Sequence, residues 1–139
     1  MTLTLAPLQQ FTGSETIYRH ALNNKVVYTD GVRYLAREGG AYWLIDEIAL
    51  AQRFNRKLSS EAFQVWTLTV NNEDHSGILI CDDGNGTVLV RKRIPFTDFP
   101  LQKIKLYFTN NTIWLPRETP SLLATVLSLT RRRHNDRKH

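Results

Sequence analysis

The chain is poor in the residues that staple, span or loosen a protein. One of its 139 residues is cysteine, Cys81, so no disulfide forms within it and the expected compartment is a reducing cytoplasm. No apolar run reaches the roughly 18–20 residues of a membrane-spanning helix. The best stretch, residues 41–51, is broken by Asp46 and Glu47, and no membrane partner is expected. Residues 1–10 lack the basic start and long apolar segment of a signal peptide. Glycine (7) and proline (5) are too few and too scattered for a low-complexity linker, and no internal repeat is present. What the chain does hold is core material. With 42% hydrophobic residues, including 3 Trp, 5 Tyr and 6 Phe, it has the means to fold, at a length typical of one domain.

The net charge of +5 points to an anionic partner until it is located. The tail 131–139 holds five of the 18 bases and one of the 13 acids, or +4, which leaves +1 on the other 130 residues. The expectation is one α+β domain over 1–130 and a basic, disordered tail over 131–139. Such a tail either tracks phosphates or simply keeps a chain end solvated.

Hydropathy patterning supplies the elements. Residues 25–29 read as a short strand. Asp30-Gly31 starts either a tight hairpin turn or a capped helix that ends at Gly39-Gly40, and the helix is the preferred reading. From 41 to about 54, Ala41, Leu44, Ile45, Ile48 and Ala49 recur at the spacing of a buried helical stripe. The period then changes to two. Trp66, Leu68 and Val70 alternate with Thr67 and Thr69, residues 78–81 form an apolar run, and the strands over 87–94, 104–109 and 112–115 are separated by turns. Thr119-Pro120 starts a short helix over 122–129. The sum is an α+β fold: N-terminal helices on a roughly five-stranded antiparallel sheet, a short C-terminal helix and the basic tail.

The segments Gln10-Phe11-Thr12-Gly13-Ser14, Tyr18-Arg19-His20, Tyr28-Thr29-Asp30-Gly31-Val32-Arg33-Tyr34-Leu35-Ala36 and Gly40-Ala41-Tyr42-Trp43-Leu44-Ile45-Asp46 carry a resemblance. The chain resembles a family of small bacterial proteins of unknown function, associated with cyanobacteria and mobile elements. The resemblance extends to about Leu115 and implies a bacterial cytoplasmic protein. It implies no catalytic or binding residues.

Known chemistries find little here. Gly84-Asn85-Gly86 lies between strands and lacks both the Lys-Ser/Thr of a phosphate loop and a following helix, so it reads as a hairpin turn. Cys81, Asp82, Asp83 and His75 are too few and point to opposite strand faces for a zinc set, and no cofactor is read. Asp46 and Glu47 are adjacent on a helix and do not face each other. Asp30, Asp46, His20 and His75 are the residues a small enzyme would use, and Asp46 has Tyr28, Asp30 and Tyr42 as possible spatial neighbours. The richest pattern is on the sheet. With Val88 and Val90 facing the core beside Ile104, Leu106, Phe108, Ile113 and Leu115, the side chains of Arg91, Arg93, Lys105, Tyr107 and Trp114 turn to the other face. Cations interleaved with rings suit single-stranded nucleic acid, with Arg131, Arg132 and Arg133 of the tail adding phosphate contacts. The same residues also suit a plain solvated face or a homodimer interface. The reading is therefore a non-enzymatic interaction module, with nucleic acid or a second copy as partner.

Overall fold

The computed structural model describes residues 17–118. Two three-residue strands come first, β1 (Ile17–Arg19) and β2 (Val27–Thr29). Three helices follow, α1 (Asp30–Gly39), α2 (Tyr42–Phe54) and α3 (Arg56–Ser59). Then come β3 (Phe63–Asn71), β4 (Ser76–Asp82), β5 (Val88–Ile94), β6 (Lys103–Thr109) and β7 (Thr112–Trp114), and a 3-10 turn at Pro116–Glu118. All seven strands join one sheet in the order β1-β2-β7-β6-β3-β4-β5.

This corrects the expected five-stranded antiparallel sheet. The sheet is seven-stranded and mixed, because β2 runs parallel to β7. Two strands precede the helices: β2 matches the short strand read at 25–29 but joins the sheet, which was not expected, and β1 is additional. Three residues are too short to show a period, and the parallel partner of β2 lies more than eighty residues away, beyond any local pattern. The α+β class stands. The expected C-terminal helix and the tail lie outside the described residues.

Local chemistry explains the element ends. Asp30 opens α1 as its first helical residue, but the cap is Thr29, whose hydroxyl accepts the Val32 N–H at 3.3 Å. Gly40 closes α1 at φ +62°, a left-handed conformation that glycine adopts without strain. Between β6 and β7, Asn110 and Asn111 both take positive φ, as a two-residue hairpin turn requires.

One face of the sheet lies under the helices. Trp66 and Leu68 of β3, Leu79 and Cys81 of β4, Leu106 of β6 and Ile113 of β7 are all buried there. They form one cluster with Val32 and Leu35 of α1 and Leu44, Ile45 and Ile48 of α2. A reciprocal amide pair fixes α2 on β3. Gln52 Nε2 donates to Gln64 Oε1 at 2.7 Å, and Gln64 Nε2 donates to Gln52 Oε1 at 2.9 Å. Gln64 also donates to the Leu58 carbonyl and accepts the Trp66 indole N–H, so a fully buried amide is fully hydrogen-bonded.

The expected inward direction of Val90 holds, and that of Val88 does not. Val90 pairs with Cys81 on the helix side and is partly buried, while Val88 is 57% exposed. The ladder shifts register at Cys81/Asp82, so Val88 pairs with Asp82 and turns to the open face.

Side-chain parity along β6 has a measurable consequence. Leu106→Ala should destabilise the protein by about 2–5 kcal/mol, whereas Lys105→Ala should change stability by less than about 0.5 kcal/mol. Urea denaturation of the two variants decides it, and equal losses would contradict the assigned faces.

Candidate functional site

The face of the sheet that no described helix covers follows from the register, and Phe63 and Val65 at its β3 end are buried. One cross-strand row runs Arg93, Ile78, Thr69, Lys103 over β5, β4, β3 and β6. The next runs Arg91, Ile80, Thr67, Lys105. With strands about 4.8 Å apart, each row spans about 14 Å between its terminal cations. Neither row holds an acid, all four cations are exposed, and none of them forms an ion pair among the described residues. Arg91 and Arg93 flank a shallow depression of about 270 Å³ floored by Ile78.

A third row sets one acid among apolar and aromatic residues: Val88, Asp82, Val65, Tyr107 and Trp114. Tyr107 is half-buried with its ring 5.4 Å from that of Phe63, and Trp114 is half-buried with its indole N–H donated to the Thr109 carbonyl. Burial, with Asp82 nearby, raises the Tyr107 phenol above its ordinary pKa, so the ring stays neutral. The structure thus brings Arg91, Arg93, Lys105, Tyr107 and Trp114 to one face. It adds Lys103, which sequence reasoning missed by starting that strand one residue late. Arg131, Arg132 and Arg133 lie outside the described residues.

A second cluster gathers on the helix side at the other end of the sheet. Tyr18 of β1 and Tyr28 of β2 are cross-strand partners with rings stacked 5.8 Å apart. Arg33 of α1 places its guanidinium 4.7 Å from the Tyr18 ring centroid and donates to the Tyr18 hydroxyl at 3.3 Å. Tyr18 and then Tyr42, the first residue of α2, hold the guanidinium firmly charged. One turn further along α2, Asp46 Oδ1 lies 2.7 Å from His20 Nε2. His20 is buried and its Nδ1 accepts the N–H groups of Leu22 (3.2 Å) and Asn23 (3.0 Å). Nδ1 must therefore be the acceptor and Nε2 the N–H donor, an assignment made from the hydrogen-bond network. The imidazole fixes one oxygen of Asp46 while the carboxylate as a whole stays 52% exposed. Burial, then Tyr42, raises the Tyr28 phenol, with Arg33 opposing and Asp46 reinforcing the shift. His20 and Asp46 were sequence candidates; the roles of Tyr18 and Arg33 were missed, because only the tertiary fold brings them to that pair.

The remaining candidates are separated. Asp30 sits in the first turn of α1, where it complements the helix dipole. His75 lies with its ring 5.5 Å from that of Phe96, tilted by 48°, in the turn at the far end of β4 from Cys81. Asp82 and Asp83 accept the N–H groups of Gly84, Asn85 and Thr87, so their carboxylates face the turn's own amides. Among the described residues no three His, Cys, Asp or Glu side chains converge as a metal set. Nor is any described helix long and apolar enough to cross a membrane.

A family model described as a family of unknown function (DUF6876) matches residues 2–119. No curated protein and no solved structure matches.

Cys81 is fully buried, and burial above all, then Asp82, pushes its thiol far up. Above about pH 8.5 the unfolded chain loses this proton first, so the thiol's contribution to stability is intact below that pH and erodes above it. A thiol reagent at pH 8 should leave the native protein unlabelled and label it fully in denaturant; rapid native labelling would contradict this burial.

Proposed function

The chain belongs to this family of unknown function, and we propose that it binds single-stranded nucleic acid across the sheet face that no described helix covers. One observation carries the reading: Arg91, Arg93, Lys103 and Lys105 stand in two cross-strand rows that contain no acid. A phosphate backbone laid along those rows meets two cations in each, and bases reach Tyr107 and Trp114 in the neighbouring row. Stacking on such rings contributes about 1–3 kcal/mol per base. Arg131, Arg132 and Arg133 would add phosphate contacts from beyond the described residues. The setting proposed is a reducing bacterial cytoplasm, on the lone buried thiol and the sequence resemblance.

Neither edge protection nor dimerisation accounts for this face as well. An edge strand such as β5 commonly carries charge to prevent edge-to-edge pairing. That accounts for Arg91 and Arg93 but not for Lys103 and Lys105, which stand on interior β6. A homodimer joined through this face is supported by the rings of Tyr107 and Trp114. Its two-fold symmetry, however, would press two sets of four cations into one interface.

Anisotropy of a labelled single strand at several salt concentrations tests the proposal. Four face cations predict a log K against log salt slope near −3, steeper with the tail's contribution. The double variant Arg91→Glu/Lys105→Glu should bind at least about tenfold more weakly, with the slope shallower by about 1.4. Absence of binding at low salt, or a double variant that binds as the parent does, would overturn it.

A further inference from the structure

Three of the segments that carry the sequence resemblance meet at the tyrosine cluster, on the face and at the edge opposite to the cationic rows. Two features set this cluster apart from an internal brace. Arg33 has a firmly held guanidinium but no carboxylate partner among the described residues: its hydrogen bonds go to the phenols of Tyr18 and Tyr42, which leaves three of its five N–H donors for a ligand. Asp46 is held at Oδ1 by a histidine that carries its single hydrogen on Nε2, so the carboxylate faces solvent oriented but without a cationic partner at Oδ2 among the described residues. The two opposite charges do not pair with each other. Tyr42 adjoins Arg33, and Arg33 and Asp46 both act on the Tyr28 phenol, so the two poles lie on either side of that ring without touching each other. Phenol rings neighbour both charges: stacked Tyr18 and Tyr28 from the strands and half-exposed Tyr42 from α2.

We propose that this cluster is a binding site for a free α-amino acid. Its carboxylate takes the open fork of Arg33, its ammonium donates to Asp46 Oδ2, and its side chain lies along Tyr28 and Tyr42. A simple anion would satisfy Arg33 and be repelled by Asp46, and a simple cation the reverse. A small zwitterion meets both poles at once, with a charge-assisted hydrogen bond of about 2.8 Å at each end. His20 acts as a positioning residue: it holds the carboxylate and touches no ligand.

The test is a thermal-shift screen of the full-length protein against each of the twenty α-amino acids, followed by calorimetry of any that stabilise it. At least one should raise the melting temperature, as ligand bound only to the native state must. Arg33→Gln and Asp46→Asn should each weaken that binding at least about tenfold, because each removes a charge-assisted hydrogen bond. The N-acetyl and methyl-ester forms of the same compound should fail on the parent protein, a control that depends on no variant folding. Nucleic-acid titration should be unchanged in both variants, which keeps failure at this site distinct from failure at the sheet face. No stabilisation by any of the twenty, or binding that survives both variants or both blocked ligands, would overturn the assignment.

Discussion

Two-residue alternation along β3, β4 and β6 is the constraint on which the rest of the structure depends. A strand paired on both sides sends successive side chains to opposite faces, so a slip of one residue would exchange the two sets entirely. Here Trp66, Leu68, Leu79, Leu106 and Ile113 go under the helices, and Thr67, Thr69, Lys103 and Lys105 go to the open face. Polar contacts hold the register as well as burial does. The Gln52–Gln64 amide pair joins α2 to β3 at a single position, since any shift would leave a buried amide without partners. Lys92 gives the same answer from a charge. Lying between Arg91 and Arg93 in sequence, it turns to the helix side and meets Glu47 of α2 at 2.6 Å. The one acid in an ion pair with β5 among the described residues thus takes the residue of opposite parity, while Asp74 acts on Arg93 only at longer range.

The same separation gives the molecule two chemically different surfaces. The open face at the β5–β6 end offers positive charge over a floor of Thr67, Thr69, Ile78 and Ile80, suited to a long, regularly charged partner. The helix-side cluster at the β1–β2 end offers one charge of each sign beside rings, suited to a small partner. Neither surface shares a side chain with the other. The four cations stand on β5 and β6 and the tyrosine cluster on β1 and β2 with the helices, on opposite faces, so substitutions at the cations do not touch the cluster.

How much of this was legible in the sequence depended on element length and on how local the determining contacts are. The stripe Leu44, Ile45, Ile48, Ala49 repeats over the 13 residues of α2, long enough for helical spacing to declare itself. Likewise Trp66, Leu68 and Val70, and Ile104, Leu106 and Phe108, alternate far enough to assign their faces, which also placed Arg91, Lys105, Tyr107 and Trp114 together. Strand β1 could not be read in this way, and β2, though read as a short strand, could not be placed in the sheet. Three residues carry no period, and a parallel pairing between Tyr28 and Ile113 leaves no local trace. The bulge at Cys81/Asp82 was hidden for a related reason: one extra residue reverses the direction of Val88 without changing any propensity around it. In the tyrosine cluster, residue types were visible and convergence was not. His20 meets Asp46 across twenty-six positions, and only the packing of α1 and α2 against β1 and β2 brings Arg33 and Tyr42 beside that pair.

The most direct measurement of the central claim is a cysteine scan of β6 from Lys103 to Thr109 in a Cys81→Ser background, with labelling rates read with and without a single-stranded oligonucleotide. If the pleat sends its cations and rings to an open, nucleic-acid-binding face, Lys103, Lys105 and Tyr107 positions label faster than Ile104, Leu106 and Phe108, and the oligonucleotide slows the fast set alone. Rates without a period of two, or a fast set that the oligonucleotide leaves untouched, would contradict it.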